Sequence, residues 1–344
     1  MKLNIDEATR LARDVLVHTG YSTAAADTIA AHLLDSELRG YTAAGLARIL
    51  AVRDRLSLKK ISKVVEDVNI TKNTAVLAHI DGQDVFGYLV GQRATELAIE
   101  KAKQNGIAIV TANNTWTTGM LSYYSEMTAA QDLVSIVTAN STPWVAAHGG
   151  TTGVHGTNPL CIGFPGATPE STPIILDTAT SQLLHADVVL AQRLGTPLPE
   201  GTAFDADGKP TTNPDDVFSG GAIAPWGGYK GSGLATVVQL FGVLAGSPAF
   251  PPALEQFGFT VIVIDPTQFQ PIDEYRKQIS TYVEGVHASS PKDAGSPPLR
   301  LPFERSAAQR AAAQKAGTVD VDDVVYKTLK DILNHKGDST SSAD

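Results

Sequence analysis

Gly106-Ile107-Ala108-Ile109-Val110-Thr111-Ala112-Asn113 is a short apolar, β-branched run. Leu121 to Gln131 follows with helical patterning, and Leu133-Val134-Ser135-Ile136-Val137-Thr138-Ala139-Asn140 repeats the first pattern. Short apolar runs bounded by Gly or Asn predict buried strands, and an eleven-residue periodic segment between them predicts a helix. A strand–helix–strand alternation of this kind marks an α/β architecture.

The same pattern extends in both directions. Phe86 to Gln104 is an amphipathic helix, and Val64-Val65 with Thr74 to Ile80, ending at Asp81-Gly82, predict short strands and a turn. Residues 6–56 are helical, with Leu11, Val15, Leu16, Ile29, Leu33 and Leu34 at helical spacing. Asn4 or Asp6 caps the first helix, and Thr19-Gly20-Tyr21-Ser22 separates it from the next. Ile49 to Leu56 continues as a helix with Arg53 and Arg55 exposed.

Downstream, residues 141–232 are loop-rich, interrupted by a strand at Ile174-Ile175-Leu176-Asp177 and a helix from Ala186 to Arg193. Gly233 to Ala245 predicts an apolar helix and Thr260 to Asp265 a strand. Residues 287–298 form a Ser/Pro/Gly loop, Val319 to Asn334 a final helix, and 336–344 a disordered tail.

Of 344 residues, 27 are basic and 36 acidic, and the net charge of −9 argues against nucleic-acid or anionic-membrane partners. The lone cysteine, Cys161, excludes an intramolecular disulfide framework and any multi-cysteine metal cluster. The eight histidines show no ligand spacing, so no metal is expected. No apolar stretch is long enough to span a bilayer, and an acid at Asp6 interrupts any leader-like run, which points to a cytoplasmic protein.

No Rossmann fingerprint, Walker loop, H-E-x-x-H or nucleophile elbow is present. What stands out is a set of Gly- and hydroxyl-rich loops. Gly156-Thr157-Asn158-Pro159 is a tight turn. Asp177-Thr178-Ala179-Thr180-Ser181 follows a strand and suits either a phosphate or a simple helix cap. Pro225-Trp226-Gly227-Gly228-Tyr229-Lys230-Gly231-Ser232-Gly233 sets a lysine among glycines before an apolar helix, as an anion site or as a flexible connection.

In order, these strings resemble the malate/L-lactate dehydrogenase family of non-Rossmann fold, from about residue 6 to 330. The match also takes in Glu37-Leu38-Arg39-Gly40, Gly45-Leu46-Ala47-Arg48, Gly149-Gly150 and the run Phe204 to Thr212. The resemblance implies a sulfolactate/malate dehydrogenase-like α/β fold, with a mixed-sheet cofactor domain plus a helical N-terminal region. It implies a discontinuous division: residues 1–112 with 290–344 on the substrate side, and 113–289 binding the cofactor. It implies NADPH or NADH, held by Asn140, Ser141, Asp177, Thr178, Ala179, Thr180, Ser181, Lys230, Gly231, Phe303, Glu304 and Arg305. It further implies a homodimer and a small anionic carboxylic-acid substrate, whose carboxylate Arg48 holds through its planar fork.

Departures from the family pattern bear on the chemistry. The family's R-G-x-x-S-H-G signature, whose histidine donates a proton, here reads Arg39-Gly40-Tyr41-Thr42-Ala43-Ala44-Gly45. A second family histidine falls at Thr117. Reduction of a carbonyl needs a proton for the forming alkoxide, and a positioned acid contributes about 10²–10⁴-fold. A cyclic imine arrives already protonated, so the pattern points to a 2-imino acid as well as a 2-oxo acid. His185-Ala186-Asp187-Val188 resembles a string of the piperideine-carboxylate reductases, which implies that Asp187 stabilises an iminium. A helix-capping acid is the alternative for Asp187. Tyr41, Tyr123, Tyr124, His148 and His155 are other proton sources. Catalysis by hydride transfer, a cofactor-binding pseudoenzyme, and a nicotinamide enzyme of altered chemistry all remain open at this point.

Overall fold

The computed structural model describes residues 1–58, 64–293 and 295–334, so the expected tail at 336–344 lies outside the described residues. The chain starts with β1 (Lys2–Asn4), followed by α1 (Ile5–His18), α2 (Thr23–Leu38) and α3 (Ala47–Leu58). The hairpin β2 (Asn69–Asn73) and β3 (Leu77–Asp81) leads through α4 (Gly87–Asn105), β4 (Ile107–Thr115) and α5 (Leu121–Ala129) to β5 (Val134–Ala139). Next are β6 (Val145–Ala146), β7 (Gly153–His155), β8 (Leu160–Phe164), β9 (Ile174–Thr178) and α6 (His185–Leu194). Then come β10 (Ala203–Phe204), β11 (Pro210–Thr211), α7 (Pro214–Phe218), β12 (Ala222–Ile223) and α8 (Tyr229–Leu244). The rest holds β13 (Phe257–Ile264), α9 (Ile272–His287), α10 (Glu304–Ala316), β14 (Thr318–Asp320) and α11 (Asp323–Asn334).

Two compact units divide the chain: Met1–Glu66 with Gln309–Asp344, and Asp67–Ala308. This corrects the expected boundaries. A cut at 112/113 falls inside β4, which is laddered between β3 and β13, so it would sever the sheet. The return at residue 290 also shifts, because Glu304 is tied back to His287 at the end of α9 (2.8 Å).

In the larger unit, a seven-stranded sheet runs β2-β3-β4-β13-β5-β8-β9. Only β3 and β4 among these neighbours are parallel, and α4 supplies the crossover that such a pair requires. Side chains alternate across the sheet. Ala108, Val110, Val137, Val261 and Val263 face inward to one core with Val90, Ala94 and Leu97 of α4 and Leu121 and Tyr124 of α5.

The opposite face carries a cross-strand row of large aliphatics. By register, Leu77 neighbours Ile109, then Ile262, Ile136, Ile162 and Leu176. Leu77, Ile109 and Leu176 are 41%, 38% and 45% exposed, and the three central residues are half-buried. A smaller sheet, β11-β10-β12-β6-β7, packs Val145, Val188, Val217 and Ile223 into a second core.

In the smaller unit α1, α2, α3 and α11 surround a core that includes Leu16, Ile29, Leu33, Ile49 and Leu329. Asn4 caps α1 as expected, its side chain accepting from Asp6 N–H at 2.9 Å, and Ser22 caps α2. Two expectations fail here. Val319 and Asp320, expected to open the final helix, belong to β14, because they pair with β1 (Lys2↔Asp320, Leu3↔Val319). Arg55 is buried rather than exposed, since α3 is enclosed on more than one side.

Candidate active site

Three loops of the larger unit converge after short strands. The turn Gly156-Thr157-Asn158-Pro159 is locked to the exit of β9: Thr180 donates its N–H to Thr157 O (3.0 Å) and its hydroxyl to Thr157 O and Asn158 O (3.1 Å each). The loop before α8 closes on the same point, with Trp226 N–H donating to Thr180 O (2.9 Å) and Ser181 bridging Pro225. His148 N–H reaches Ser232 Oγ at 3.0 Å. Glycine is required at 231, where any Cβ would run into Trp226 O, and at 227 and 228, both at φ +62°.

Gly231 and Lys230 do not precede the helix as expected; they belong to its first turn. α8 begins at Tyr229, four residues before the predicted start, because the surrounding contacts fix a Gly-rich backbone that helix propensity alone would leave loose. The N-terminus of this 16-residue helix carries no side-chain cap, and Lys230 is exposed beside it. Uncapped N–H groups, the helix dipole and a lysine together suit a phosphate.

A second polar feature lies within the same cluster. Asn158 is fully buried; its amide N–H₂ donates to Ala235 O and Gln239 Oε1 (2.9 Å each), while its Oδ1 is left without a partner. Gly156 packs tightly against that oxygen and Ser141 Oγ, so that any Cβ there would run into both. The uncapped start of α8, Lys230 in its first turn and the glycines at 227, 228 and 231 fit the phosphates of a nicotinamide dinucleotide.

Other residues of the expected cofactor set have their polar groups engaged inside the fold. Asn140 donates to Ser247 Oγ (3.1 Å) and accepts from Gly258 N–H (2.6 Å), joining the end of β5 to β13. Asp177 Oδ2 accepts from Ser122 N–H at 2.7 Å, capping α5, and burial raises its pKa against that hydrogen bond. Thr178 is half-buried, its hydroxyl directed to Ala179 O, and Ser181 Oγ donates to Leu183 O at 2.6 Å. Phe303 (φ +79°) precedes α10 and Glu304 begins it, with Glu304 bonded to His287 and to Leu301 N–H, while Arg305 is exposed.

Asp187 sits in the first turn of α6, where its Oδ2 accepts from Leu184 N–H at 2.8 Å. The helix-capping alternative is thus realised, and burial raises the Asp187 pKa. Thr117 adopts φ +41°, a strained conformation for a β-branched residue. His155, at the end of β7 just before Gly156, is half-buried and kept neutral by burial, with Nδ1 unpartnered.

In the smaller unit, the Arg39–Arg48 segment folds as the end of α2, a 3-10 turn at Thr42–Ala44 and the start of α3. Tyr41, half-buried, precedes that turn and accepts from Ala44 N–H at 2.9 Å through its carbonyl. Arg48 is buried in α3, its N–H donating to Gly45 O (2.9 Å). Arg39 pairs with Asp35 (2.6 Å), which also holds Arg310 (3.0 Å).

Glu37 was not singled out from the sequence, beyond lying in the Glu37-Leu38-Arg39-Gly40 string. Its Oε1 accepts from Leu46 N–H at 2.8 Å, while Oε2 is buried without a partner. Burial raises its pKa to about 8, against that hydrogen bond and with Asp322 adding to the rise. An acid two residues before Arg39-Gly40, at the end of the predicted helix, was the available signal.

The sequence model of the family described as malate/L-lactate dehydrogenase matches residues 3–330. The chain is similar to L-sulfolactate dehydrogenase of Methanothermobacter thermautotrophicus, 32% identical over 84% of this chain and 86% of that protein. It is also similar to Delta(1)-pyrroline-2-carboxylate reductase 1 of Burkholderia ambifaria, 34% identical over 70% and 69%. The solved structure of sulfolactate dehydrogenase from Methanocaldococcus jannaschii superposes with a TM-score of 0.82 at 31% identity, covering 97% of both chains.

Proposed function

The chain belongs to the malate/L-lactate dehydrogenase family and is an oxidoreductase, and we propose that it reduces small cyclic 2-imino acids faster than 2-oxo acids. The observation that carries this reading is the Tyr41–Gly45 segment, where alanines stand at 43 and 44, together with Thr117 at the second histidine's place. The likeness to a named pyrroline-2-carboxylate reductase supports it.

NADH or NADPH supplies the hydride when bound. Lys230 and the uncapped start of α8 would hold a phosphate of the cofactor. Ser141 and the Asp177–Ser181 stretch contribute backbone and shape to the same cluster. Arg48 holds the substrate carboxylate, and Asp187 stabilises positive charge at the reacting nitrogen while it caps α6. With a single cysteine, buried at position 161, the fold relies on no intramolecular disulfide, as suits the cytoplasm.

The active form is a homodimer. The aliphatic row from Leu77 to Leu176 crosses six strands, about 24 Å at ~4.8 Å per spacing, and leaves large apolar side chains exposed. On α8, Leu240 and Leu244 are 60% and 72% exposed as well. A second copy of this chain is the occupant assigned to this apolar face.

The test is nicotinamide oxidation with paired imino- and oxo-acid substrates across pH. Imine turnover is expected to exceed ketone turnover and to fall as the iminium deprotonates. Faster ketone turnover overturns the preference, and no turnover with cofactor bound overturns the reductase assignment.

A further inference from the structure

We propose that Thr117 is a specificity-determining residue of the reductase, its hydroxyl oxygen accepting the N–H of a protonated cyclic imino acid. The inference rests on the imino-acid reading above. Among the described residues, Thr117 is the only β-branched one at positive φ (+41°). Such a conformation is costly for threonine and persists only where the surroundings impose it.

They do impose it. Trp116 is buried with its ring stacked on Phe86 (centroids 4.3 Å apart), and its Nε1–H donates to Asp84 O at 3.1 Å. Gly87 N–H donates to Trp116 O (2.8 Å), and any Cβ on Gly87 would run into the carbonyl oxygens of Trp116 and Thr117. On the other side Thr118 is buried, and its carbonyl accepts from Tyr124 Oη at 2.7 Å. Between these anchors Thr117 is only half-buried, so it keeps access to solvent from a rigid backbone.

Topology sets this loop beside the cofactor cluster, all within the larger unit. β3 and β4 run parallel, and β5 and β9 run the same way, each separated from the one before by an antiparallel strand. Their carboxyl ends therefore share one sheet edge, from which Trp116-Thr117, Asn140-Ser141 and Ala179 to Ser181 all leave. The loop after Thr117 crosses that edge, since Ser122 N–H at the start of α5 donates to Asp177 Oδ2 (2.7 Å). Asp177 opens the stretch that Thr180 ties to Thr157 and to Trp226, next to the start of α8.

A cyclic iminium carries its proton on nitrogen, so it needs an acceptor there rather than a donor. A neutral hydroxyl oxygen accepts that N–H, whereas an imidazolium at the same place would repel the cation. In the step itself, the iminium carbon takes hydride from the nicotinamide and the C=N π pair moves onto nitrogen, which keeps its proton. No proton passes through Thr117. A 2-oxo acid offers no N–H, so threonine at this position favours the imine.

Pyrrole-2-carboxylate and furan-2-carboxylate are planar mimics that take no hydride and differ in the ring N–H. Titrated calorimetrically into the cofactor-loaded wild type, the pyrrole should bind at least about tenfold more tightly. Thr117→Val, with the same branching, should erase that preference, and Thr117→Ser should keep it. Thr117→Val should also lower imino-acid kcat/KM at least about tenfold more than oxo-acid kcat/KM. Histidine tolerates positive φ better than threonine, and Thr117→His should shift the ratio of imine to ketone turnover at least about tenfold towards the ketone. In a wild type that prefers imines, equal binding of the two mimics, or a pyrrole preference that survives in Thr117→Val, overturns the role of Thr117 and leaves the reductase reading standing. Where Thr117→Val folds poorly, an unshifted ratio in Thr117→His overturns the proposal. A wild type that reduces oxo acids faster overturns the imino-acid reading and the role of Thr117 with it.

Discussion

Arg48 and Asp187 illustrate how much a single side chain can be asked to do. Arg48 is buried in α3 with its backbone fixed by Gly45, so its guanidinium is delivered from a rigid element. Arg48→Met should raise KM at least about tenfold, a loss of roughly 1.4 kcal/mol of binding. Asp187 already caps Leu184, and asparagine can keep that acceptor while removing the charge. Asp187→Asn should therefore leave Tm nearly unchanged and lower imine kcat more than it shifts KM. Steady-state kinetics beside a melting curve checks both, and a kcat indifferent to Asp187→Asn would confine the residue to capping.

Residue roles were the part least legible in the sequence. Asn140 and Asp177 stand where the family resemblance sets cofactor contacts, yet their polar atoms bind Gly258, Ser247 and Ser122. Residue order cannot show that, because those partners lie up to 118 positions away in the chain. Glu37 escaped notice for the same reason: its partner-free oxygen depends on how α2 and the following turn pack.

At the scale of elements, α8 holds the best-defined ligand feature. Lys230→Ala should weaken NADH or NADPH binding several-fold in a fluorescence titration while leaving the helix intact, because Lys230 is exposed in the first turn of α8 and alanine favours helix. Equal affinity would remove Lys230 from the phosphate site. Gly231→Ala, by contrast, would force the Trp226 backbone away and should abolish binding along with the local fold.

Strands β4, β5 and β13 were readable directly, since each is a short β-branched run bounded by Gly, Asn or Asp. The start of α8 was not, because glycine disfavours helix and only the packing of Trp226 and Thr180 overrides that preference. Helix α9 was missed although Ile272, Tyr275, Ile279, Val283 and Val286 recur at helical spacing, a stripe that the fold buries only in part. β14 was merged into the helix after it because its pairing partner, β1, lies at the other end of the chain.

For the molecule as a whole, two buried groups on α2 set opposing pH slopes. The folded pKa of His32 is lowered to about 3 by burial and Arg39, so native His32 binds fewer protons than the unfolded chain below pH 6.5. Stability is lost there as pH falls. Glu37 is raised from 4.5 to about 8, so the native state binds more protons in that window and stability is lost as pH rises. Relative to wild type, Glu37→Gln should gain stability progressively between pH 4.5 and 8 and show no difference below it. Thermal melts across pH measure this, and parallel curves would mean Glu37 is not neutral in the native state.

The exposed sheet face makes a separate demand. Ile109→Lys with Leu176→Lys should convert a dimer to monomer in sedimentation experiments without disturbing the inward core, because both residues lie on the outward row. A wild type that sediments as a monomer at micromolar concentration would assign that face to another partner.

The pairing of β1 with β14 has a consequence for synthesis on the ribosome. Residues 67–308 form one uninterrupted compact unit, whereas β1 must wait for Thr318–Asp320 to emerge before its ladder can close. The first helices of the nascent chain therefore spend most of translation with Leu3 and its neighbours unpaired, after the intervening unit has had time to fold. Slow codons or a stall between positions 67 and 308 would leave those helices to chaperones, and truncation before 318 should release a folded larger unit carrying an unfinished amino-terminal segment.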